Sequence, residues 1–406
     1  MPCASPGSSG KRRLDAGLRP SHGHGGIPVE PLARLLDDHV RRYYNGLGTR
    51  RRSPRSTRVA PTRALRRTQR RCLAIRATTS RALQVHRRIE GMETHPAPLD
   101  AAPLAGAFRA AHGAMAAAFE ISIAGEDARY AAQAAAAAFE RIDAIERELS
   151  RYIPSSDVAR INRQAPGKPV KIGIAAAECL ALSARINAET GGAFDVTAGR
   201  LVDLWREGAP SAEQLAAARA ATGMHLLALD ADAHTVTVGV RGVRVDLGGI
   251  GKGYAADEAA ALLSDWGIAH ALVNAGGSSL RATGAPPGAP GWPLTFPHPA
   301  GGGRRLGTLA LATGGVSGSG IRKGPHIIDP RTGAPAARSI AAWAAAPAAA
   351  EADALSTAFM VMAPGEVERF CLRRADTAAL LFARPVDPRG GPDQVYRFGA
   401  RFCGIL

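Results

Sequence analysis

Four glycines and one lysine stand between an alternating apolar run and a helix-forming segment. The apolar run covers residues 243–247, and the glycines and the lysine fall within residues 248–253. Glycines between a strand and a helix let bare backbone approach a ligand, and the first N–H groups of a helix attract an anion. This spacing predicts a site for a phosphorylated ligand.

Two familiar phosphate-binding motifs do not fit this glycine loop. A P-loop would need glycine in place of Asp246 and serine or threonine in place of Gly253. The dinucleotide fingerprint G-x-G-x-x-G also spaces its third glycine differently from Gly253. Some other group must therefore help to bind the phosphates.

A carboxylate and a hydroxyl four residues apart offer such a group. Asp353 and Thr357 share one face of a predicted helix, where one hard cation can contact both oxygens. Such a pair suits Mg²⁺, which keeps several waters and takes further ligands from substrate phosphates. The same pair also occurs on capped or solvated helix faces, so the spacing alone leaves both interpretations open.

Three further clusters combine residue types that bind ligands. Residues 192–197 place an aromatic ring and a carboxylate after a double glycine, residues 326–333 join a titratable histidine to a D-P-R-T-G turn, and Tyr152 follows a long predicted helix. Each cluster also has a purely structural interpretation: a loop entering a helix, a surface turn, or a tyrosine of the core.

In this order and at these separations, the clusters resemble the ApbE-like flavin transferases, also called FAD:protein FMN transferases. The resemblance spans about residues 115–363. The motifs that carry it are L-S-x-Y at 149–152, G-A-F-D-x-T at 192–197, D-L-G-x-I-x-K-G at 246–253, V-N-x-G-G at 273–277, H-I-I-D-P-R-T-G at 326–333 and A-D-A-L-x-T at 352–357.

The resemblance implies an activity, its cofactors and a partner. It implies Mg²⁺-dependent transfer of the FMN moiety of FAD to a Thr or Ser hydroxyl of an acceptor flavoprotein, with release of AMP. Asp353, Thr357 and the backbone carbonyl of Gly249 would hold the metal ion. The implied flavin contacts are Met115, Tyr152, Ala193, Phe194, Asp195, Asp246, Lys252 and Ile328. Among the side chains of the matched motifs, we predict His326 as the catalytic base because histidine is the residue type whose ordinary pKa lies near neutral pH.

The chain departs from the family pattern at three motifs. Ala116 and Ala117 replace the Gly-Thr of Met-Gly-Thr, Ser278 replaces the acid of V-N-x-G-G-D, and Thr313-Gly314-Gly315 stands for T-S-G. The metal motif is intact while several groups of the flavin motifs are trimmed. We therefore expect flavin binding to be affected more than metal binding.

Three other functions fit parts of the pattern. A Mg²⁺-dependent FAD pyrophosphatase would use the same residues with water as the acceptor. A non-catalytic flavin-binding protein would keep the cleft and lack turnover. A serine hydrolase would use Ser317 or Ser319 with His326 and Asp329, but residues 315–319 are not G-x-S-x-G, and a Gly/Ser loop before a turn is the simpler interpretation.

The elements that must position these motifs form an α+β pattern. Hydrophobic periodicity predicts strands at 119–123, 235–238, 271–273, 307–312 and 379–383, a hairpin that joins 235–238 to 243–245, and helices at 128–150, 175–189, 211–222, 254–266 and 350–362. We expect one large ApbE-like domain over residues 101–406, with a mostly antiparallel sheet flanked by helices.

The positive charge is concentrated ahead of this domain. Residues 1–91 hold 21 of the 51 Lys and Arg but 5 of the 35 Asp and Glu, which leaves 30 residues of each sign in the remainder. We expect residues 1–100 to be an Arg-rich, disordered extension with one helical segment at 28–44. Met92 is an alternative start, and nucleic-acid binding is not the expected function.

Neither Met1 nor Met92 is followed by an export signal, and no apolar run is long enough to span a membrane. Five scattered cysteines form neither a disulfide framework nor a zinc motif. We therefore predict a cytoplasmic protein that meets the membrane only indirectly, through its acceptor. The resemblance implies the cell envelope as the alternative location.

Overall fold

The computed structural model describes residues 97–321, 324, 326–385 and 391–402. The helix predicted at 28–44, the alternative start at Met92 and almost all of the basic extension lie outside these residues. The described residues all belong to one compact unit. The domain boundary at residue 100 stays a prediction.

The described residues form fourteen strands and eight α-helices. The strands are β1 (Asp100–Ala101), β2 (Phe108–Ala114), β3 (Ala117–Ile123), β4 (Pro169–Lys171), β5 (Leu227–Asp230), β6 (Thr235–Val238), β7 (Ala271–Ala275), β8 (Ser279–Thr283), β9 (Trp292–Pro297), β10 (Arg305–Leu311), β11 (Gly314–Gly320), β12 (Ser339–Ala346), β13 (Ala378–Ala383) and β14 (Gln394–Phe398). The helices are α1 (Ala128–Leu149), α2 (Asp157–Arg163), α3 (Ile174–Glu189), α4 (Gly199–Glu207), α5 (Ala212–Ala220), α6 (Gly251–Asp265), α7 (Ala349–Val361) and α8 (Pro364–Arg373).

Eight of the strands form the main sheet, in the order β14-β13-β12-β11-β8-β7-β3-β2. Every neighbouring pair in it is antiparallel. Two three-stranded sheets, β1-β9-β10 and β4-β6-β5, complete the architecture. The predicted α+β fold with a mostly antiparallel sheet is confirmed.

Alternate residues of the main sheet enter two different cores. On β12, Ala342 and Ala344 belong to the core shared with the helices, whereas Trp343 and Ala345 belong to the core shared with β9. Successive side chains of a strand point to opposite faces, so both faces of this sheet are covered. Residues of β11 on the helix-facing side therefore point toward α7.

Helix α7 begins in a narrow slot between α6 and β11. A Cβ atom on Gly253 would lie 2.2 Å from the carbonyl oxygen of Ala349, and one on Gly315 would lie 2.5 Å from the backbone nitrogen of Ala349. Asp257 of α6 caps α7 from outside, because its two carboxylate oxygens accept the N–H groups of Ala349 (2.9 Å) and Ala350 (2.8 Å). These contacts fix the position of the helix that carries Asp353 and Thr357.

Asp257 gives the stability of the chain a specific pH dependence. Burial raises the pKa of its carboxyl group to about 6, against the lowering effect of Arg281 and of the two N–H groups. An unfolded aspartate titrates near ~3.9, so the contribution of this group is complete below about pH 4 and is lost as pH rises through about 6.

We expect the free energy of unfolding of the wild type to fall relative to Asp257→Asn by up to about 3 kcal/mol across this interval. Urea denaturation at several pH values measures the difference. A difference that stays constant between the two proteins would contradict the assignment.

The sequence prediction was wrong for one hairpin. Strand β6 pairs with β5 and β4, not with residues 243–245. That segment contributes only an isolated bridge between Arg244 and Ala198. Its alternation reflects burial of Val243 and Val245 below the glycine loop instead of strand pairing.

Candidate active site

One cleft of about 540 Å³ opens where the glycine loop meets α7. Every residue predicted to contact the flavin, to hold the metal ion or to act as the base lines it: Met115, Tyr152, Ala193, Phe194, Asp195, Asp246, Gly249, Lys252, His326, Ile328, Asp353 and Thr357. The fold thus brings together motifs from most of the domain. The role of each residue stays a prediction.

Asp353 is an almost buried carboxylate held at both oxygens. Its Oδ2 accepts the N–H of Gly253 at 3.1 Å, and its Oδ1 lies 3.2 Å from the hydroxyl of Ser317. Its exposed fraction is 3%. Within the described residues, no Lys, Arg or His side chain forms an ion pair with it. Burying a carboxylate without a countercharge costs desolvation free energy, and a cation bound from the cleft would offset that cost.

Thr357 presents its hydroxyl oxygen beside this carboxylate. Its O–H donates to the carbonyl of Asp353 at 3.2 Å, so its proton is used within the helix and its lone pairs remain as acceptors. A Cβ on Gly249 would lie 3.1 Å from Thr357 Oγ1 and 3.3 Å from the ring of Phe194. Glycine at this position therefore lets the loop backbone approach the helix. The donor set is all oxygen, which suits a hard cation.

The glycine loop turns directly into α6. The N–H groups of Ile250 and Gly251 both donate to the carbonyl of Leu247, and the helix begins at Gly251 instead of Tyr254 as predicted. Lys252 Nζ lies 3.3 Å from the carbonyl oxygen of Gly248. A positive side chain thus stands at the N-terminus of a helix, where an anionic ligand is favoured.

Arg151 braces the loop from below, a contact that the sequence motifs did not single out. Its guanidinium donates to Asp246 Oδ2 at 3.0 Å and pairs with Asp203 of α4. Its carbon Cζ also lies 5.1 Å from the centre of the Tyr152 ring, which is mostly exposed at the rim of the cleft. Asp246 therefore has a fixed orientation, while Tyr152 offers an open aromatic face.

Asp195 organises its own loop. Oδ1 accepts from the backbone and hydroxyl of Thr197, and Oδ2 accepts from Asn187 and from the backbone of Met224. Burial raises the pKa of this carboxyl group, although these hydrogen bonds lower it. The structure thus adds a loop-bracing role to the predicted flavin contact.

His326 lies at the start of a well-braced turn. Its Nδ1 is 2.9 Å from the carbonyl oxygen of Gly324, which can only accept, so Nδ1 donates this hydrogen bond. Arg331 donates three hydrogen bonds to the carboxylate of Asp329: one from its backbone N–H and two from its guanidinium nitrogens. Asp329 is thus committed to the turn, which argues against the Ser-His-Asp hydrolase.

Residues 315–319, which the sequence predicts as a Gly/Ser loop, lie in strand β11 at the centre of the main sheet. Ser317 is fully buried and lies against Asp353, and Ser319 lies 2.9 Å from Ser356 Oγ and 3.4 Å from Thr357 Oγ1. Two serine hydroxyls of β11 thus lie beside α7, and the effect of the departure at Thr313-Gly314-Gly315 stays a prediction.

The Met-Gly-Thr departure leaves a strained turn. Met115 and Ala116 join β2 to β3 with φ angles of 51° and 54°, in the left-handed region that favours glycine. Such a conformation costs about 1–2 kcal/mol for alanine, against about 0.5–1 kcal/mol of extra chain entropy for glycine.

We expect Ala116→Gly to raise the free energy of unfolding by about 0.5–1 kcal/mol. Ala118→Gly, in the following extended strand, should instead lower it by a similar amount. Chemical denaturation of both variants compares them, and a destabilised Ala116→Gly protein would refute the strain.

Among the described residues, no group of three or more His, Cys, Asp or Glu side chains could hold a metal ion. No described helix is long and apolar enough to cross a membrane.

The cleft combines a carboxylate, a hydroxyl and a glycine backbone with a lysine at a helix N-terminus. This combination defines a class of protein that acts on a phosphorylated ligand.

Comparison with known proteins identifies the family. Residues 115–382 match the model of the ApbE family. The chain is 31% identical over 290 residues to the FAD:protein FMN transferase of Escherichia coli strain K12, across 66% of this chain and 81% of that protein. It therefore belongs to the ApbE family, as its motifs predict.

Solved structures agree with the fold. The ApbE protein from Thermotoga maritima superposes with a TM-score of 0.63 at 28% identity, covering 72% of this chain and 97% of that one. The flavinyl transferase ApbE from Pseudomonas stutzeri superposes with a TM-score of 0.62 at 27% identity, covering 72% and 94%.

Proposed function

We propose that this chain transfers the FMN moiety of FAD to a Thr or Ser hydroxyl of an acceptor flavoprotein and releases AMP. The observation that carries the proposal is Asp353, a buried carboxylate that shares a helical face with Thr357 below the glycine loop. The name FAD:protein FMN transferase, borne by the relative from Escherichia coli, supports the same reaction.

The residues present fit a magnesium ion. Asp353 and Thr357 would hold it together with the carbonyl of Gly249, because all three are hard oxygen donors and the carboxylate has no countercharge among the described residues. When bound, the ion would neutralise the charge of the pyrophosphate.

The chain's own residues would prepare the remaining parts of the reaction. Lys252 would bind the phosphates at the helix N-terminus, and the backbone of the glycine loop would admit them closely. The acceptor oxygen forms a bond to the FMN-side phosphorus while the bond from that phosphorus to the AMP oxygen breaks. His326 would take the hydroxyl proton on Nε2, since Nδ1 already donates to Gly324.

The acceptor flavoprotein is the proposed partner, and any membrane contact would come through it. A cytoplasmic location is part of this proposal, with the cell envelope as the family-based alternative. Met115, Tyr152, Ala193, Phe194, Asp195, Asp246 and Ile328 are proposed as flavin contacts because they line the same cleft as the metal residues.

A product assay tests the proposal. The full chain would be incubated with FAD, Mg²⁺ and an acceptor domain that carries a flavinylatable threonine, and covalent flavin fluorescence would be read on a denaturing gel while AMP and FMN are quantified. A fluorescent acceptor with an equal amount of AMP is the expected result. Free FMN with AMP would indicate a pyrophosphatase, and bound FAD without turnover would indicate a flavin-binding protein; either would overturn the proposal.

A further inference from the structure

A chain of buried hydroxyl groups runs from the main sheet to Asp353. Ser317 of β11 pairs with Ser279 of β8, and their Oγ atoms are 3.0 Å apart. Ser317 Oγ is also 2.7 Å from the carbonyl oxygen of Ser278 and 3.2 Å from Asp353 Oδ1. Both Ser279 and Ser317 are 0% exposed, so no solvent competes with these contacts.

The hydrogen-bond inventory gives this chain a direction. A hydroxyl has one proton and two lone pairs, so Ser279 can donate to Ser317 while Ser317 donates toward the carbonyl of Ser278 or the carboxylate of Asp353. Donation to Ser278 alone would turn only lone pairs toward Asp353, whereas donation to the carboxylate forms the contact that can orient Asp353 Oδ1. In this second arrangement Asp353 Oδ1 accepts from a hydroxyl whose place is set by the sheet.

The carboxylate is held at its other oxygen by a different element. Gly253 of α6 donates its backbone N–H to Asp353 Oδ2. Because Gly253 has no Cβ atom, α6 and α7 can lie in contact at this point. Two contacts on opposite oxygens fix the rotation of the carboxylate about its Cβ–Cγ bond. Groups that orient a metal ligand in this way typically change metal affinity by about 10–100-fold.

We propose that Ser317 is a positioning residue that orients the Asp353 carboxylate for the cation, with Ser279 holding Ser317 in turn. The inference rests on the proposed metal role of Asp353 and extends it to two residues of the sheet. It also gives a reason for a serine in an otherwise glycine-rich strand. A hydroxyl is the smallest group that can fill this place and still donate to a carboxylate.

Metal binding tests the proposal without relying on turnover. Free Mn²⁺ would be measured by electron paramagnetic resonance during titration of the full chain, with FAD present and without it. We expect Ser317→Ala to weaken Mn²⁺ binding by about tenfold and Ser279→Ala to weaken it by a smaller factor. Ser183→Ala, which removes another fully buried serine hydroxyl from α3, is the control and should bind as the wild type does.

Kinetics provides a second readout. In Ser317→Ala, the metal concentration for half-maximal flavin transfer should rise by the same factor as the dissociation constant, while the rate at saturating metal stays within about threefold of the wild type. A merely structural loss would lower the melting temperature and the saturated rate together. Ser279→Ala keeps the test open if Ser317→Ala does not fold, because Ser279 does not touch Asp353.

The failures of the two proposals are distinguishable. If Asp353→Ala abolishes Mn²⁺ binding while Ser317→Ala and Ser279→Ala bind normally, the positioning role is wrong and the metal role stands. If Asp353→Ala binds Mn²⁺ as the wild type does, the metal role is wrong and the positioning role falls with it.

Discussion

Replacing Asp353 by alanine is expected to abolish flavin transfer, with a rate at least about 100-fold below that of the wild type. Loss of a group that only orients a metal ligand costs about 10–100-fold, and loss of the ligand itself should cost more. The substitution also leaves the N–H of Gly253 without its partner. Initial rates of acceptor flavinylation across a range of Mg²⁺ concentrations measure the loss.

Two controls make this result specific. Asp353→Asn keeps the shape of the side chain but removes the charge, so its rate should lie close to that of the alanine variant. Glu368→Ala removes an exposed carboxylate from α8 and should have the wild-type rate. Full activity in Asp353→Ala at any Mg²⁺ concentration would exclude the proposed metal site.

The second large effect is expected at Gly253, which faces the start of α7. A Cβ atom there would lie 2.2 Å from Ala349 O, 2.5 Å from Ala349 C and 2.7 Å from Ala350 Cα, all of them backbone atoms that cannot rotate aside. Alanine gains about 1 kcal/mol in helix propensity, but forced backbone shifts of this kind cost about 1–3 kcal/mol or more. We expect Gly253→Ala to lower the free energy of unfolding by about 2 kcal/mol and to displace Asp353.

Gly365→Ala is the matched control for that substitution. Gly365 also lies in the first turn of a helix, but its nearest neighbour would be the flexible end of Arg369 at 3.6 Å. This variant should be as stable as the wild type or slightly more so. Urea denaturation of both variants, with Mn²⁺ affinity measured on the folded proteins, tests the pair. A Gly253→Ala protein with wild-type stability and affinity would show that the slot is not needed.

Much of the site could be predicted from the sequence because its residues belong to short motifs with definite chemistry. The helices also could be predicted where apolar residues recur, as in α1, whose buried stripe includes Ile142, Ile145 and Leu149. Strands β11 and β12 were missed because glycine and alanine carry no alternation of polarity that marks two faces. The hairpin at 243–245 was wrong because alternation there reports burial under a loop.

Contacts between motifs could not be predicted in the same way. Arg151 precedes Tyr152 in the sequence, yet its importance lies in its ion pairs with Asp246 and Asp203, which are distant along the chain. The contact between Ser317 and Asp353 is evident only in the folded chain, where β11 lies beside α7. Spacing along the chain identifies a motif, whereas the partners that hold it depend on the fold.

The central position of β11 has a consequence for motion in the cleft. This strand pairs with β8 on one side and β12 on the other, and it meets α7 through the backbone of Gly315 and the short side chains of Ser317 and Ser319. Its amide hydrogens should therefore exchange with solvent only when the whole sheet opens. The exposed rim around Tyr152 should instead open locally, without opening of the sheet. We therefore expect the part of the cleft around Asp353 to keep its shape during turnover, and substrates to enter and leave at the rim around Tyr152.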